Sequence, residues 1–384
     1  MLATHPRSQP ARLYFLGHLK VALTILVILH HIGQPYGPTG GFWYFEDDLS
    51  FPLLGPFFRV NASFFMGLFF LVSGYFMPGS LDRKGTGAYL KDRLVRLGIP
   101  MLTLFLTLPP ALLYTHYVQI RGGSLPFWQY ITQIYLGAGP RPAGLVSPSW
   151  PELQFGHLWF VEHLLVYAVC YALGRALWKG RGARPGNTIA PPGDGAVALF
   201  ILALSAVTLL IRIWFPIDRW IGFLGFIQAE PAHVPQYLSF LIIGAVAYRN
   251  DWLRTFPAAR GLRWLWVGLA LSLVPPVVTM MKWEVPGPVD VLWECSFAVA
   301  IAIGLMTCFR ERLNGASRLM EWMGANAFAA YLIHVPIVVA LQYALAPAAL
   351  GALVKFLIVS AIGVPLTFGL SALLRRIPAV RAIL

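Results

Sequence analysis

The sequence predicts an all-α polytopic membrane protein with about ten transmembrane helices and both termini in the cytoplasm. The chain is 58% hydrophobic and only 12% charged, whereas a soluble domain carries about 25% charged residues. Its apolar residues also form long runs, and a helix needs about 20 apolar residues to cross the hydrocarbon core of a bilayer. We therefore expect most of the outer surface of the protein to face lipid.

Ten apolar runs follow one another along the chain, and each is a candidate membrane-spanning helix. They lie at about 18–35, 57–78, 98–118, 157–177, 196–215, 235–249, 264–281, 289–309, 324–344 and 351–374. The sixth run is the shortest, and the stretch before it, 220–235, is a candidate re-entrant segment.

The basic residues predict the orientation, because Lys and Arg are enriched in cytoplasmic loops. With the N-terminus placed inside, 22 of the 29 Lys and Arg residues fall on the inner side and 7 on the outer side. The formal net charge of +13 is therefore interpreted as a consequence of topology. Its expected partners are the acidic headgroups of membrane lipids. Nucleic-acid binding is not expected, because the basic residues are dispersed over several loops.

Ionisable side chains inside helices are functional candidates, because charge is costly within a membrane. On the first helix, Lys20 and His31 are eleven residues or three turns apart, so both lie on one face, about 16 Å apart along the axis. His30 points about 100° away from His31. Two interpretations stay open for the two histidines. Either they end the helix near the outer headgroups, or a buried neutral imidazole acts as a general base on a hydroxyl.

Three further features are candidates for a site. Arg93 and Arg96 share one face at a helix start, which suits a phosphate-bearing ligand, although the pair also fits two ordinary inner-loop cations. His334 lies in the middle of a helix, where either an interhelical hydrogen bond or a functional role explains it. The pattern H-x4-E-H at 157–163 matches no zinc motif, so no metal is expected.

Two outer segments, 36–48 and 124–154, combine Trp, Tyr, Pro and acidic residues. Aromatic side chains at that depth commonly anchor a protein in the membrane interface. The same composition also suits a sugar-binding rim, for which Tyr36 and Trp43 are candidates.

Six segments of the chain contain motifs whose order along the sequence is informative. They are LKVALTILVILHH at 19–31, NASFFMGLFFLVSGYFM at 61–77, DRLVRLGIP at 92–100, GHLWFVEHLLVY at 156–167, FLIIGAVAYRNDWL at 240–253 and MGANAFAAYLIHVP at 323–336. In this order they resemble the membrane-bound acyltransferase-3 family, which O-acylates sugars and related acceptors, and the resemblance extends from about residue 12 to 375. The chain departs from the family at Lys20, which replaces an Arg and its bidentate fork, and at Gly17, where the family commonly has Asp.

The resemblance implies an acyl-CoA co-substrate, acetyl-CoA or succinyl-CoA, on the cytoplasmic side. It implies a sugar or glycan acceptor whose hydroxyl reacts near the outer face. For this chain we expect one acyltransferase domain across residues 1–384, without a soluble accessory domain, in the bacterial inner membrane. Within the family, the chain resembles the glucan-modifying branch.

The resemblance and the residues above together predict roles. His31 is the expected general base, and Glu162 and His334 are expected to assist it. The expected donor site consists of Lys20, Arg93 and Arg96. The expected acceptor-binding residues are His30, Tyr36, Trp43, His157, Trp159 and His163.

Two other functions stay open. A transporter or flippase for an acylated glycan would use the same polar face as a pathway without bond chemistry, and it would not release free coenzyme A when an acceptor is present. A different family of membrane acyltransferases also has an intramembrane histidine. The Arg-x-x-Arg and His-Leu-Trp-Phe elements argue against that second family.

Overall fold

The computed structural model describes residues 13–38, 42–141, 150–177, 188–223 and 227–384. Within these ranges, nine helical segments are long and apolar enough to cross a membrane. They are Tyr14–Tyr36, Leu54–Lys84, Thr86–Gln119, Gly156–Leu177, Asp194–Arg212, Ala258–Met281, Gly287–Arg312, Arg318–Leu345 and Ala352–Leu374. The predicted all-α polytopic membrane fold is confirmed, while the cytoplasmic placement of both termini stays a prediction.

Several of these segments are divided into shorter elements by turns or prolines. The α-helices are α1 (Tyr14–Gly33), α2 (Leu54–Lys84), α3 (Thr86–Arg93), α4 (Ile99–Phe105), α5 (Leu108–Gln119), α6 (Phe127–Gln129), α7 (Trp159–Leu177), α8 (Asp194–Arg212), α9 (Val234–Arg249), α10 (Trp252–Thr255), α11 (Ala258–Ser272), α12 (Val274–Met281), α13 (Gly287–Arg312), α14 (Arg318–Leu345), α15 (Ala352–Leu374) and α16 (Pro378–Ile383). The π-turns are Leu94–Gly98 and Tyr130–Tyr135, and the 3-10 turns are Gln34–Tyr36 and Gly156–Leu158.

The sixth predicted span, 235–249, corresponds to α9, whose 16 residues are fewer than in any of the nine segments. Two glycines allow α9 to pack closely on α2. A Cβ atom on Gly74 would overlap the carbonyl of Leu241, and one on Gly244 would overlap the carbonyl of Leu71. Such small residues let helix backbones approach within a membrane. α9 is therefore held mainly by contact with α2.

The candidate re-entrant segment 220–235 contains an antiparallel β-hairpin. Its strands are β1 (Ile221–Phe223) and β2 (Ile227–Ala229), with Gly222 opposite Gln228. This hairpin is the only sheet within the described residues. Its second strand contacts α7, as described below.

Helix α1 lies at the centre of the bundle, packed against α2, α13, α14 and α15. This surrounds the polar face of α1 with protein. The end of the bundle that carries Lys84, Arg93 and Arg310 is called the inner end here, because the charge distribution predicts that it is cytoplasmic. His31, in the last turn of α1, belongs to the opposite, outer half.

Candidate active site

His31 is anchored through one nitrogen of its ring. Pro35 lies at the start of the 3-10 turn that follows α1, and this turn brings Gln34 back towards the helix. The distance from His31 Nδ1 to Gln34 Oε1 is 2.6 Å. Because an amide oxygen only accepts hydrogen bonds, the network assigns the proton to Nδ1. The lone pair of Nε2 then remains available to take a proton.

Two aromatic rings stack on His31. The Trp43 ring lies 5.0 Å from it with an interplanar angle of 11°, and the His334 ring lies 5.2 Å from it with an angle of 30°. The structure therefore brings together three residues that the sequence predicted to share the site. It also fixes the plane of the His31 imidazole, because rotation about χ2 would break both stacking contacts.

Gln342, on α14, forms hydrogen bonds with both the Trp43 side chain and the backbone at the end of α1. Its Oε1 accepts a hydrogen bond of 2.7 Å from Trp43 Nε1, and its Nε2 donates to the carbonyl of Ile32 at 3.1 Å. Gln342 has no solvent-exposed surface. One buried amide thus joins the loop that carries Trp43 to the end of α1, and no motif in the sequence indicated it.

His334 and His157 extend the cluster away from His31. Their ring centroids are 5.0 Å apart, in an edge-to-face arrangement. His334 Nδ1 donates to the carbonyl of Tyr331 at 2.6 Å, and His157 Nε2 donates to the carbonyl of Leu332 at 3.1 Å. The Tyr331 hydroxyl donates in turn to the carbonyl of His157. These bonds fix the orientation of the His334 ring on α14 and of the His157 ring on the 3-10 turn before α7.

The Nε2 atom of His334 has no hydrogen-bond partner in the described structure, and its side chain is fully buried. Buried polar atoms are normally paired in native proteins. Nε2 of His334 lies in the ring beside His31 and is therefore suited to accept a hydrogen bond from a bound ligand. Within the described ranges, no group of three or more His, Cys, Asp or Glu side chains is arranged to hold a metal ion.

His30 and Tyr36 lie beside this cluster. The His30 ring contacts Phe58 and Phe65, each with a centroid distance of 5.2 Å. Its position agrees with the predicted rotation away from His31. Tyr36 is fully buried, and its hydroxyl has no partner in the described part of the chain.

Glu162 and His163 form a second group, on α7. Glu162 Oε1 accepts a hydrogen bond of 3.0 Å from the backbone N–H of Gln228, and His163 Nε2 donates to the Gln228 carbonyl at 3.0 Å. The Gln228 side chain also bonds the backbone of Phe155 and Leu153, at 3.0 Å each. Both predicted site residues therefore position strand β2.

Trp159 belongs to this second group. Its ring stacks on Tyr237 with a centroid distance of 5.5 Å and meets the edge of His163 at 5.3 Å. Trp220, 45% exposed, lies 5.9 Å away from it. These aromatic rings lie beside the hairpin and not in the stack around His31.

Ion pairs and the buried phenol of Tyr130 stabilise the outer segments. Lys355 Nζ lies 2.7 Å from Asp47 Oδ2, and both side chains are buried. Glu152 accepts from Arg121 at 2.5 Å and from Tyr130 at 2.7 Å. Burial raises the pKa of the Tyr130 phenol above its usual value, and the adjacent Glu152 carboxylate raises it further. Residues 39–41 and 142–149 of the two predicted aromatic segments lie outside the described ranges.

Two of the predicted donor-site cations contact α2 at the inner end. Lys20 Nζ lies 5.4 Å above the ring of Phe76, and Arg93 Nη2 donates to Ser80 Oγ at 3.2 Å. Phe76 and Ser80 are four residues apart on α2 and therefore share one of its faces. Lys20 and Arg93 consequently approach the same face of α2, about one helical turn apart.

Asp92 links Arg93 and Arg96. Its carboxylate lies 3.2 Å from Arg96 Nε, 3.8 Å from Arg93 Nη2 and 2.8 Å from Lys84 Nζ. The Arg96 side chain is 58% exposed, whereas the Nε atom of Arg93 is buried and has no hydrogen-bond partner among the described residues. The π-turn Leu94–Gly98 begins directly after Arg93, and such turns are frequent at functional sites.

Glu294 lies on α13, and its carboxylate is buried. Its two oxygens accept from Arg212 at 2.7 and 2.9 Å, and His233 Nδ1 lies 3.5 Å away. A bidentate guanidinium–carboxylate pair satisfies both charges. Glu294 is therefore explained by a salt bridge between α8 and α13, and the sequence offered no indication of its partner.

Comparison with known proteins identifies the family. The family described as "Acyltransferase domain", acyltransferase-3, matches residues 13–376. Proteins named "Glucans biosynthesis protein C" from Salmonella heidelberg (strain SL476) and Salmonella typhimurium (strain LT2) are each 27% identical over 349 residues, which covers 86% of this chain and 83% of the relative. The protein of the same name from Salmonella paratyphi B is 27% identical over 353 residues, with the same coverage. No solved structure matches the chain significantly.

The family match spans nearly the whole chain, and it includes α1 with His31 and α14 with His334. The relatives are consistent with the glucan-modifying branch that the motifs resembled. The nine apolar helical segments of the described residues agree with an enzyme embedded in a membrane. The chain therefore belongs to the acyltransferase-3 family and is a multi-pass membrane acyltransferase.

Proposed function

We propose that this protein transfers an acyl group from acyl-CoA at the inner end of the bundle to a hydroxyl of a glucan or related glycan at the outer end, with His31 as the general base. The observation that carries this proposal is the 2.6 Å bond from His31 Nδ1 to Gln34 Oε1, which leaves Nε2 as a proton acceptor. The distribution of basic residues supports the proposed orientation, with the inner end in the cytoplasm.

The chemistry is one acyl transfer. The acceptor O–H bond breaks as its proton moves to His31 Nε2, and the oxygen forms a bond to the thioester carbonyl carbon. The C–S bond then breaks, and the coenzyme A sulfur takes the proton from the imidazolium. A positioned general base contributes a rate factor of about 10²–10⁴. Trp43 and His334 hold the ring in a single plane for both proton transfers.

The inner cations suit the phosphates of coenzyme A. Lys20 and Arg93 approach one face of α2, and Arg96 is the most exposed of the three cations near Asp92. Guanidinium groups bind phosphate with two parallel hydrogen bonds. Since Lys20 and His31 lie on one face of α1 about 16 Å apart, the pantetheine arm extends along that face to carry the thioester to His31.

The acceptor is proposed from the relatives and from the outer residues. The relatives are named for glucan biosynthesis, and a sugar presents several hydroxyls in addition to the one that reacts. His334 Nε2, which is buried and has no partner in the described ranges, accepts a hydrogen bond from one such hydroxyl. Glu162 and His163 act as positioning residues, because they hold β2 through Gln228.

Proteoliposomes containing the full chain test this function. Acetyl-CoA or succinyl-CoA is placed on the side of Arg93 and a glucan oligosaccharide on the side of His31. Free coenzyme A thiol is measured together with the mass of the oligosaccharide. We expect thiol release only in the presence of the glucan, with one acyl group added to the sugar. Movement of an already acylated glucan across the membrane without thiol release would contradict the proposal and favour a transporter.

A further inference from the structure

A cleft of about 280 Å³ opens between α8, α9 and α13, and none of its lining residues belongs to the His31 cluster. Its walls are aliphatic and aromatic side chains, including Phe200, Phe240, Ile243 and Met306. On α13 the lining runs from Val299 to Arg310, which is the half of that helix nearer the inner end. The proposed acyl transfer makes no use of this space.

The lining excludes water as the natural occupant. A water molecule in a cavity needs two to four polar partners, and apolar cavities stay dry. An empty cavity deprives its lining of dispersion contacts. Helix α8 forms one wall of the cleft, and its Leu199 and Leu202 are 68% and 58% exposed, so we expect them to face lipid. The acyl chains of the surrounding bilayer are therefore immediately available to fill the cleft.

Two guanidinium groups lie at the inner end of the cleft. Arg310 lines the cleft and donates to the carbonyl of Leu253, another lining residue, at 3.1 Å. Arg260 donates to the carbonyl of Pro192 at 3.1 Å and lies 5.8 Å from the ring of Phe256. Pro192 and Phe256 are also lining residues. The apolar walls thus end at two cations, on the side that the charge distribution predicts to be cytoplasmic.

The charges at this end of the cleft do not cancel. Asp194 lies 3.1 Å from Arg263 and 3.9 Å from Arg260, and Glu311 lies 2.7 Å from Arg310. Among the described ion pairs at this end, three guanidinium groups therefore face two carboxylates, which leaves one positive charge. One phosphodiester would neutralise that charge, and arginine binds phosphate through its planar fork.

From these features we propose that the cleft is a binding site for one anionic phospholipid of the inner leaflet. One of its acyl chains fills the space between α8, α9 and α13, and its phosphate lies beside Arg310 and Arg260. Such a lipid packs α8 against the rest of the bundle in the intact membrane. The site is independent of the proposed acyl transfer.

Native mass spectrometry of the full chain tests the site, with phosphatidylglycerol or phosphatidylcholine added to the delipidated protein. Ala196 lines the cleft and is exposed, so Ala196→Trp closes the opening without disturbing the core. Ala198 is an exposed alanine on the same helix outside the lining, and Ala198→Trp is the matched control. Gel filtration confirms that each variant remains monodisperse.

We expect wild type and Ala198→Trp to retain one phosphatidylglycerol, and Ala196→Trp to bind it about tenfold more weakly. Arg310→Gln should lose most of the preference for phosphatidylglycerol, because it removes a guanidinium that contacts the headgroup. Arg263→Gln removes the same charge but no headgroup contact, so it should lose less of the preference. Equal binding of phosphatidylglycerol by Ala196→Trp and Ala198→Trp would overturn the location. Equal binding of the two lipids by wild type would overturn the role of the guanidinium groups.

Discussion

The imidazole of His31 and the indole of Trp43 are nearly parallel, with centroids 5.0 Å apart and an interplanar angle of 11°. Neither ring is held by this contact alone, because Gln34 bonds the imidazole and Gln342 bonds the indole. A base held in this way loses little orientational freedom when it meets the acceptor hydroxyl. Correct placement of reacting groups is a major source of enzymatic rate.

Gln34→Leu should lower turnover by about 10²-fold while leaving KM for acyl-CoA unchanged, because misplacement of a catalytic group by about 1 Å has an effect of this size. The substitution removes the acceptor for His31 Nδ1–H and frees the ring to adopt the other tautomer. Steady-state kinetics in nanodiscs measure both constants. Gln129→Leu, at an exposed outer position, serves as the control. If kcat stays at the wild-type value in Gln34→Leu, the anchor has no part in catalysis.

Gln342→Leu should destabilise the protein by about 1–3 kcal/mol for each buried polar group left unpaired. The substitution removes the partner of Trp43 Nε1 and of the Ile32 carbonyl. Thermal unfolding of the purified protein in one detergent, followed by tryptophan fluorescence, gives the change in Tm. Gln133→Leu, on an exposed outer turn, should leave Tm near that of wild type. Equal melting of the two variants would show that the Gln342 bonds add nothing to stability.

Arg93→Ala should raise KM for acyl-CoA by at least about tenfold, since charge-assisted hydrogen bonds contribute roughly 1.5–3 kcal/mol. The rise of KM caused by Arg93→Ala should be smaller at high salt, because salt screens the attraction between the guanidinium and the phosphates. Lys20→Ala should also raise KM for acyl-CoA. Lys20→Arg should keep KM near the wild-type value, because it retains the positive charge.

Arg263→Ala is the matched control for the donor site, because Arg263 is an inner-side arginine whose side chain is 70% exposed. It should leave KM for acyl-CoA unchanged. An equal rise of KM in Arg93→Ala and Arg263→Ala would indicate a general effect of positive charge and remove the donor site from Arg93.

Glu162→Gln should keep most of the turnover, whereas Glu162→Ala should lower both activity and stability. The carboxylate accepts a bond from the Gln228 backbone N–H, and a glutamine carbonyl oxygen can accept the same bond. Parallel measurements of rate and Tm separate the two effects. A folded Glu162→Gln protein with almost no activity would assign Glu162 to proton transfer and not to positioning.

Helical periodicity predicted much of this arrangement. It predicted that Lys20 and His31 share one face of α1 and that His30 points away from His31. In the structure His31 stacks on Trp43 and His334, whereas His30 contacts Phe58 and Phe65. Gln34 is three residues beyond His31, so the i, i+3 rule contains a signal for their contact. That signal is weak on its own, because a glutamine side chain at a helix end can equally bond water or the unpaired backbone groups of the last turn.

The remaining contacts depend on residues distant in sequence. Gln342 reaches the end of α1 from 310 positions away, and Arg212 reaches Glu294 from 82 positions away. No local pattern encodes such pairs. The roles of Glu162 and His163 depend in the same way on Gln228, whose strand β2 lies in a stretch that the sequence marked only as a candidate re-entrant segment.

The most direct test of the account is the rate of glucan-dependent coenzyme A release by His31→Ala, compared with His30→Ala, in the same proteoliposomes. Acyl-CoA binding is measured in parallel. The account predicts that His31→Ala binds acyl-CoA like wild type but loses about 10²–10⁴-fold in rate, while His30→Ala stays within a few fold of wild type. A folded His31→Ala protein that releases coenzyme A at the wild-type rate would contradict the assignment of His31 as the base.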